Sequence, residues 1–177
     1  MEPERDEVSY VAAAKSGSEA AWRYLVETHQ QRLVRLAWAL TGDRELAAEV
    51  AQETLVTAFL GIGRLREAGA FGAWLRAILL RTARRMRRRG EPPPDREIED
   101  ARTPEAEAMG EELRRAVDRA IESLAPLYQE ALALAMDGTL TSAEAGQLLG
   151  CSAEAYRVRV HKARSLLRAK LARFLTE

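Results

Sequence analysis

Apolar residues recur at helical spacing along most of this chain, and the recurrences predict eight helices. Residues 6–15 form a short amphipathic helix through Val8, Val11 and Ala12, ended by Ser16-Gly17. Ser18 caps a long second helix that carries Ala21, Trp22, Leu25 and Val26, then Leu33, Leu36, Ala37 and Leu40, and stops at Thr41-Gly42. Asp43 caps a third, with Leu46, Val50, Leu55, Ala58 and Phe59, closed by Gly61-Ile62-Gly63. After a loop over 64–70, Phe71, Trp74, Leu75 and Ile78 share one side of a fourth helix.

Gly90 and Pro92-Pro93-Pro94 then interrupt regular structure, and the acid-rich stretch up to Pro104 cannot pack a helix. Helical spacing resumes with Leu113, Ala116, Val117, Ala120, Ile121 and Leu124. Pro126 opens a sixth helix through Leu127, Ala131, Leu132 and Leu134, which Asp137-Gly138 closes. The predicted organisation is a four-helix domain over 1–89, a Pro-rich acidic linker over 90–104 and a four-helix domain over 105–177. Ala, Leu, Arg and Glu dominate the 177 residues, which supports an all-α fold of two small domains.

The last two helices have a more specific form. Ser142 to Leu149 makes a short helix, Gly150 supplies a sharp turn, and Ser152 caps a second helix. There Tyr156, Val160, Ala163 and Leu167 fall on one apolar face, while Arg157, His161, Lys162, Arg164 and Arg168 lie on the others. A helix-turn-helix with a cationic second helix is suited to the DNA major groove. Cys151, the only cysteine, stands at the turn and reads as a small packing residue.

Formal net charge is zero, 27 Lys and Arg against 27 Asp and Glu, but the charges are segregated. Residues 74–89 hold seven arginines and no acid, residues 91–112 nine acids, and residues 152–173 seven cations against Glu154 alone. Two cationic helices separated by an acidic stretch point to two contacts with a polyanion. The sequence has no metal-binding H-E-x-x-H, no phosphate-cradling glycine loop and no C-x-x-C pair. Two histidines and one cysteine are too few for a structural metal site. The expectation is a protein that is not an enzyme and needs no cofactor or metal. The acidic N-terminus is unlike a signal peptide, no apolar run near 20 residues stands out, and a cytoplasmic protein without membrane insertion is expected.

The stretch Ala47-Ala48-Glu49-Val50-Ala51-Gln52-Glu53-Thr54-Leu55, followed by Trp74-Leu75-Arg76-Ala77-Ile78 and the arginine run, resembles the N-terminal domain of bacterial sigma factors. Leu124-Ala125-Pro126, Gly150-Cys151-Ser152 and Arg159-Val160-His161-Lys162-Ala163-Arg164 resemble the helix-turn-helix of the family's fourth region. The order and spacing of both halves are similar to the two-domain extracytoplasmic-function (ECF) group of the sigma-70 family. That resemblance implies a subunit that binds core RNA polymerase and directs it to promoter DNA, with a cognate anti-sigma factor as a further partner.

Carried over by position, Glu49, Gln52, Glu53, Thr54 and Phe59 would dock on the polymerase. Arg76, Arg81, Arg84, Arg85 and Arg88 would hold the −10 strand. Ser152, Glu154, Arg157, Val158, His161, Lys162 and Arg164 would meet the −35 duplex. The chain departs from the family's usual pattern at Arg81 (commonly Asn), Arg85 (commonly Asp), Phe59 (often Trp or Tyr), Tyr156 (usually Val) and Gly146 (usually Ala). A larger side chain at 156 opposite a smaller one at 146 implies a compensating repack of the helix pair. Two other readings stay open: a stand-alone helix-turn-helix regulator without strand opening, and an adaptor that binds only proteins.

Overall fold

A computed structural model describes residues 3–89 and 104–175. The linker predicted over 90–104 lies outside the described residues except for Pro104. All regular elements among the described residues are helical: α1 (Pro3–Lys15), α2 (Glu19–Thr41), α3 (Arg44–Gly61), α4 (Phe71–Arg89), α5 (Pro104–Glu122), α6 (Pro126–Asp137), α7 (Ser142–Leu149), α8 (Ala153–Lys170) and the single turn α9 (Ala172–Leu175). Two short 3₁₀ turns, Ile62–Arg64 and Ala68–Ala70, occupy the loop between α3 and α4.

The ends of the helices follow local chemistry. Ser18 accepts from the Ala21 amide at 3.3 Å and Asp43 from the Leu46 amide at 2.9 Å, each satisfying an orphan donor of a first turn. Gly42 ends α2 in the left-handed region, φ 75°, with its N–H donating to the Trp38 carbonyl. Pro126 sits at the first position of α6.

Helix α2 is the spine of the first half. Its buried face, including Leu25, Leu33, Leu36, Ala37 and Leu40, packs against α1, α3 and α4. Helix α1 is tied down by Val11, by the Tyr10–Tyr24 stack at 3.8 Å and by a 2.9 Å hydrogen bond between Glu7 Oε2 and His29 Nε2. His29 is buried and meets the edge of Phe71, so it is an interhelix residue. Helix α3 buries Ala47, Val50, Ala51, Thr54 and Ala58. By length and composition alone α3, with its 3₁₀ extension to Arg64, would suffice to cross a bilayer, which the sequence pattern did not suggest. Its alanine-rich stripe instead packs on α2 and α4, while Glu45 and Glu49 face outward.

The two helical domains pack against each other. Six consecutive residues of α6, Gln129 to Leu134, are buried. Helix α6 lies between α2 of the first half and α8 of the second, and a helix covered on both sides buries residues all round its axis. Ala131, Ala133, Leu134, Ala145, Tyr156 and Val160 therefore join the same apolar core as α1 to α4. A small second cluster, Leu124, Leu132 and Ala163, lies beneath α5, α6 and α8.

Polar contacts seal the seam. Trp38 Nε1 donates to Asp118 at 2.6 Å, and Arg44 lies over the Trp38 ring while pairing with Asp118. A Cβ at Gly42 would stand only 2.6 Å from the Glu122 backbone nitrogen, so α5 approaches α2 as closely as glycine permits.

Candidate nucleic-acid and polymerase interfaces

The helix-turn-helix is built by local hydrogen bonds. Thr141 and Glu144 form a capping box at the start of α7: the Glu144 amide donates to Thr141 Oγ1, and the Thr141 amide donates to Glu144 Oε2 at 2.8 Å. The Thr141 amide and then the Thr141 hydroxyl, both donating to Glu144 Oε2, hold the Glu144 carboxyl below the usual carboxylate range. Gly150 makes the turn at φ 66°, and the Cys151 amide donates to the Gly146 carbonyl at 2.9 Å. Ser152 then caps α8 by accepting from the Ala155 amide at 3.1 Å.

Gly146 is explained by this turn. A Cβ there would lie 2.7 Å from the Cys151 carbonyl oxygen and 3.1 Å from the Ser152 carbonyl carbon. The neighbour that demands glycine is backbone of the turn, and the expected exchange of volume with Tyr156 is not what the structure supports. Tyr156 turns inward instead, and burial pushes its phenol up.

With Tyr156, Val160 and Ala163 buried, α8 presents Ser152, Glu154, Arg157, Val158, His161, Lys162 and Arg164 to the outside. Among the described residues none of the α8 cations has an acid within ion-pair distance. Val158 is 62% exposed, an apolar side chain among cations of the kind that meets a thymine methyl group.

Helix α4 is different, because its arginines are engaged. Arg76 is buried; its Nε donates to Asp137 Oδ2 at 2.8 Å and its Nη2 to Thr139. Arg32 approaches the other Asp137 oxygen at 3.2 Å as an ion pair without hydrogen-bond geometry. Arg84 grips Glu130 with two bonds, 2.7 and 2.9 Å, and this pairing holds its guanidinium more firmly protonated. Arg85 pairs with Glu53 of α3. Arg81 is exposed, and among the described residues it has no acidic partner. The backbone of Arg88 continues α4, and its side chain lies outside the described set. Arg76 and Arg84, expected on DNA, thus face the second half of the chain.

On α3, Glu49, Gln52 and Phe59 are exposed and Glu53 is half-buried. Thr54 is a correction: it is fully buried, and its hydroxyl donates to the Val50 carbonyl at 2.7 Å, so it supports the helix from inside. Sequence reasoning missed Val56 and Leu60, which with Phe59 form an exposed apolar patch at helical spacing. Phe59 leans on Trp22 at a ring distance of 5.3 Å. The signal was present in the run Val56 to Leu60, but apolar positions there also fit a core face. The acids that meet α4, Glu130 and Asp137, were missed altogether.

Two family descriptions match in the order these surfaces require: sigma-70 region 2 over residues 25–91 and sigma-70 region 4 over 114–167. The ECF RNA polymerase sigma factor SigE of Mycolicibacterium smegmatis is 30% identical over all of this chain and 73% of its own length. The chain belongs to the ECF sigma factors. SigM of Mycobacterium tuberculosis is also 30% identical to this sigma factor, over 97% of the chain and 86% of its own length. In fold, this sigma factor is similar to CnrH, solved in complex with the cytosolic domain of CnrY. The TM-score is 0.72 at 24% identity, covering 94% of this chain and 97% of that one. A second solved relative is the sigma factor RpoE of Bartonella quintana in complex with the anti-sigma factor NepR, with TM-score 0.64 at 20% identity over 85% of this chain and 96% of that one. This protein is therefore a promoter-specificity subunit that binds core RNA polymerase and directs transcription initiation.

Proposed function

We propose a division of labour among three surfaces of this sigma factor. The exposed Arg157, Val158, His161 and Lys162 face of α8 reads the −35 duplex. Arg157 makes the base-edge contact, and Lys162 and Arg164 hold phosphates. Helix α4, with Arg76, Arg81, Arg84, Arg85 and Arg88, follows the −10 strand. Helix α3 docks on the polymerase through Glu49, Gln52 and Glu53, joined by the apolar patch of Val56, Phe59 and Leu60. In this reading residues 1–89 and 105–177 are the two working units and 90–104 connects them.

The observation that carries the proposal is the cation-rich outer face of α8, without acidic partners among the described residues, on a helix-turn-helix shaped by its caps and Gly150. The protein acts in the cytoplasm as a binding subunit without catalysis of its own. A cognate anti-sigma protein is its regulator, a reading supported by CnrH and RpoE having been solved with CnrY and NepR.

Transcription reconstituted with purified core polymerase on a pool of genomic promoters tests the proposal. Run-off products sharing two spaced elements are expected. Duplex binding without a transcript would favour the stand-alone regulator, and neither activity the adaptor.

A further inference from the structure

We infer that Lys15 is a positioning residue for promoter opening. Its ammonium, with Val8 on the same helix, holds the loop between α3 and α4 so that Arg64 and Arg66 meet the single strand where it passes the N-terminal end of α4. The role rests on the assignment of α4 to the −10 strand.

The loop does little to fix its own shape. Residues 62–70 hold two single 3₁₀ turns, Ile62–Arg64 and Ala68–Ala70, and neither begins with a side-chain cap. Turns of this kind have poorer hydrogen-bond geometry than an α-helix. Gly63 has nothing within 4 Å of where a Cβ would stand, and glycine brings backbone freedom that ordering must remove. Ile62 and Leu65 are buried and anchor one edge, whereas Gly63, Arg64, Arg66, Glu67 and Gly69 are exposed.

Helix α1 supplies the missing support. Lys15, in its last turn, donates from Nζ to the Leu65 carbonyl at 2.6 Å, across 50 residues of chain. A Cβ at Gly69 would meet Val8 Cγ2 at 4.0 Å, so α1 also backs the second turn. The support is itself anchored, because Val11 is fully buried, Tyr10 stacks on Tyr24 and Glu7 bonds to His29. His29 in turn meets the edge of Phe71, the first residue of α4, into which the loop runs. One packed unit therefore carries α1, the loop and the start of α4.

Arg64 and Arg66 are the cations this unit places. Among the described residues neither has an acid within ion-pair distance, in contrast to Arg84 and Arg85 further along α4. A strand following α4 from Arg88 to Phe71 covers about 25 Å at ~1.5 Å per residue and then reaches the loop. A single strand has no fixed geometry of its own, so cations already held in place reduce the cost of ordering it. The Lys15 charge is engaged by a backbone carbonyl, so it acts through the loop and not on a phosphate.

The test uses the full-length chain with core polymerase on a duplex promoter drawn from the run-off pool. Opening is read as permanganate reactivity of the −10 thymines, beside co-purification with polymerase and the salt dependence of complex formation. Lys15→Met should lower opening about fivefold, the loss of one charge-assisted hydrogen bond, with polymerase binding and salt slope unchanged. Lys15→Arg should restore opening. Val8→Ser, an exposed position, should act in the same direction and stands in should Lys15→Met misfold. Arg64→Ala with Arg66→Ala should lower opening and also flatten the salt slope.

Unchanged opening in both Lys15→Met and Val8→Ser, while Arg81→Ala on α4 impairs it, would overturn the positioning role alone. Unchanged opening in all three would remove α4 from the −10 strand as well. Equal losses of opening and of polymerase binding in Lys15→Met would reduce Lys15 to a structural residue. A salt slope lowered by about one in that variant would place Lys15 on a phosphate instead.

Discussion

Gly42→Ala separates the cost of a strained backbone from the cost of pushing the two halves apart. At φ 75° an added Cβ strains the backbone by about 1–2 kcal/mol. Gly17, at φ 91° with nothing within 4 Å of where a Cβ would stand, carries the same kind of strain and no collision. At Gly42 the Cβ would also stand 2.6 Å from the Glu122 nitrogen and 2.8 Å from the Asp118 carbonyl oxygen. Both are backbone atoms and cannot rotate away. Restoring a contact of about 3.5 Å moves α5 outward by roughly 0.9 Å. That stretches the 2.6 Å Trp38–Asp118 bond and adds an overpacking cost of about 1–3 kcal/mol. In urea denaturation of the full-length chain, Gly17→Ala should lose about 1–2 kcal/mol, and Gly42→Ala should lose that plus the overpacking. Hydrogen exchange should quicken in α5 for Gly42→Ala alone. Equal losses, with α5 protection unchanged, would show that no close approach exists at this seam.

Four further outcomes are expected. Arg157→Ala should cost about 1–3 kcal/mol of discrimination at the −35 element while preserving the fold, as read from binding to a randomised promoter library; full selectivity would remove Arg157 from base readout. Gln52→Ala with Glu53→Ala should reduce co-purification with core polymerase, whereas Thr54→Val, inside the bundle, should leave it intact; the opposite ranking would return Thr54 to the docking surface. Thr141→Ala removes the capping hydroxyl of α7 and should lower stability by about 1 kcal/mol in thermal melts, and an unchanged melt would argue against the capping box. The His29 hydrogen bond, against the opposing effect of burial, holds the Glu7 carboxyl below its ordinary 4.5. Its contribution is therefore fully present above that value and is lost as pH falls through the lowered folded value. Stability of wild type and Glu7→Gln should differ near neutrality and converge in acid; a constant difference would deny Glu7 that role.

Much of the architecture was legible in local pattern, because helix ends are decided within a few residues. Ser18, Asp43, Pro126, Gly150 and Ser152 each mark a boundary where the structure has one. The outer face of α8 was equally readable, since burying Tyr156, Val160 and Ala163 fixes which cations remain outside. Thr54 was misjudged because a threonine carries no sign of whether it faces solvent or a neighbouring helix. Gly146 was traced to the wrong neighbour because the atoms it spares belong to a turn five residues on.

What periodicity could not contain is the pairing of one half with the other. An acid in α6 reads identically whether it meets water or an arginine more than forty residues away, as Glu130 meets Arg84. Only the tertiary structure brings α2 against α6, because apolar and charged faces choose partners by shape and charge across space, not by spacing along the chain. The sequence by itself determined the helices, most of their caps and the cations on the outer face of α8; the packing of the halves decided which arginines of α4 stand free and which are held.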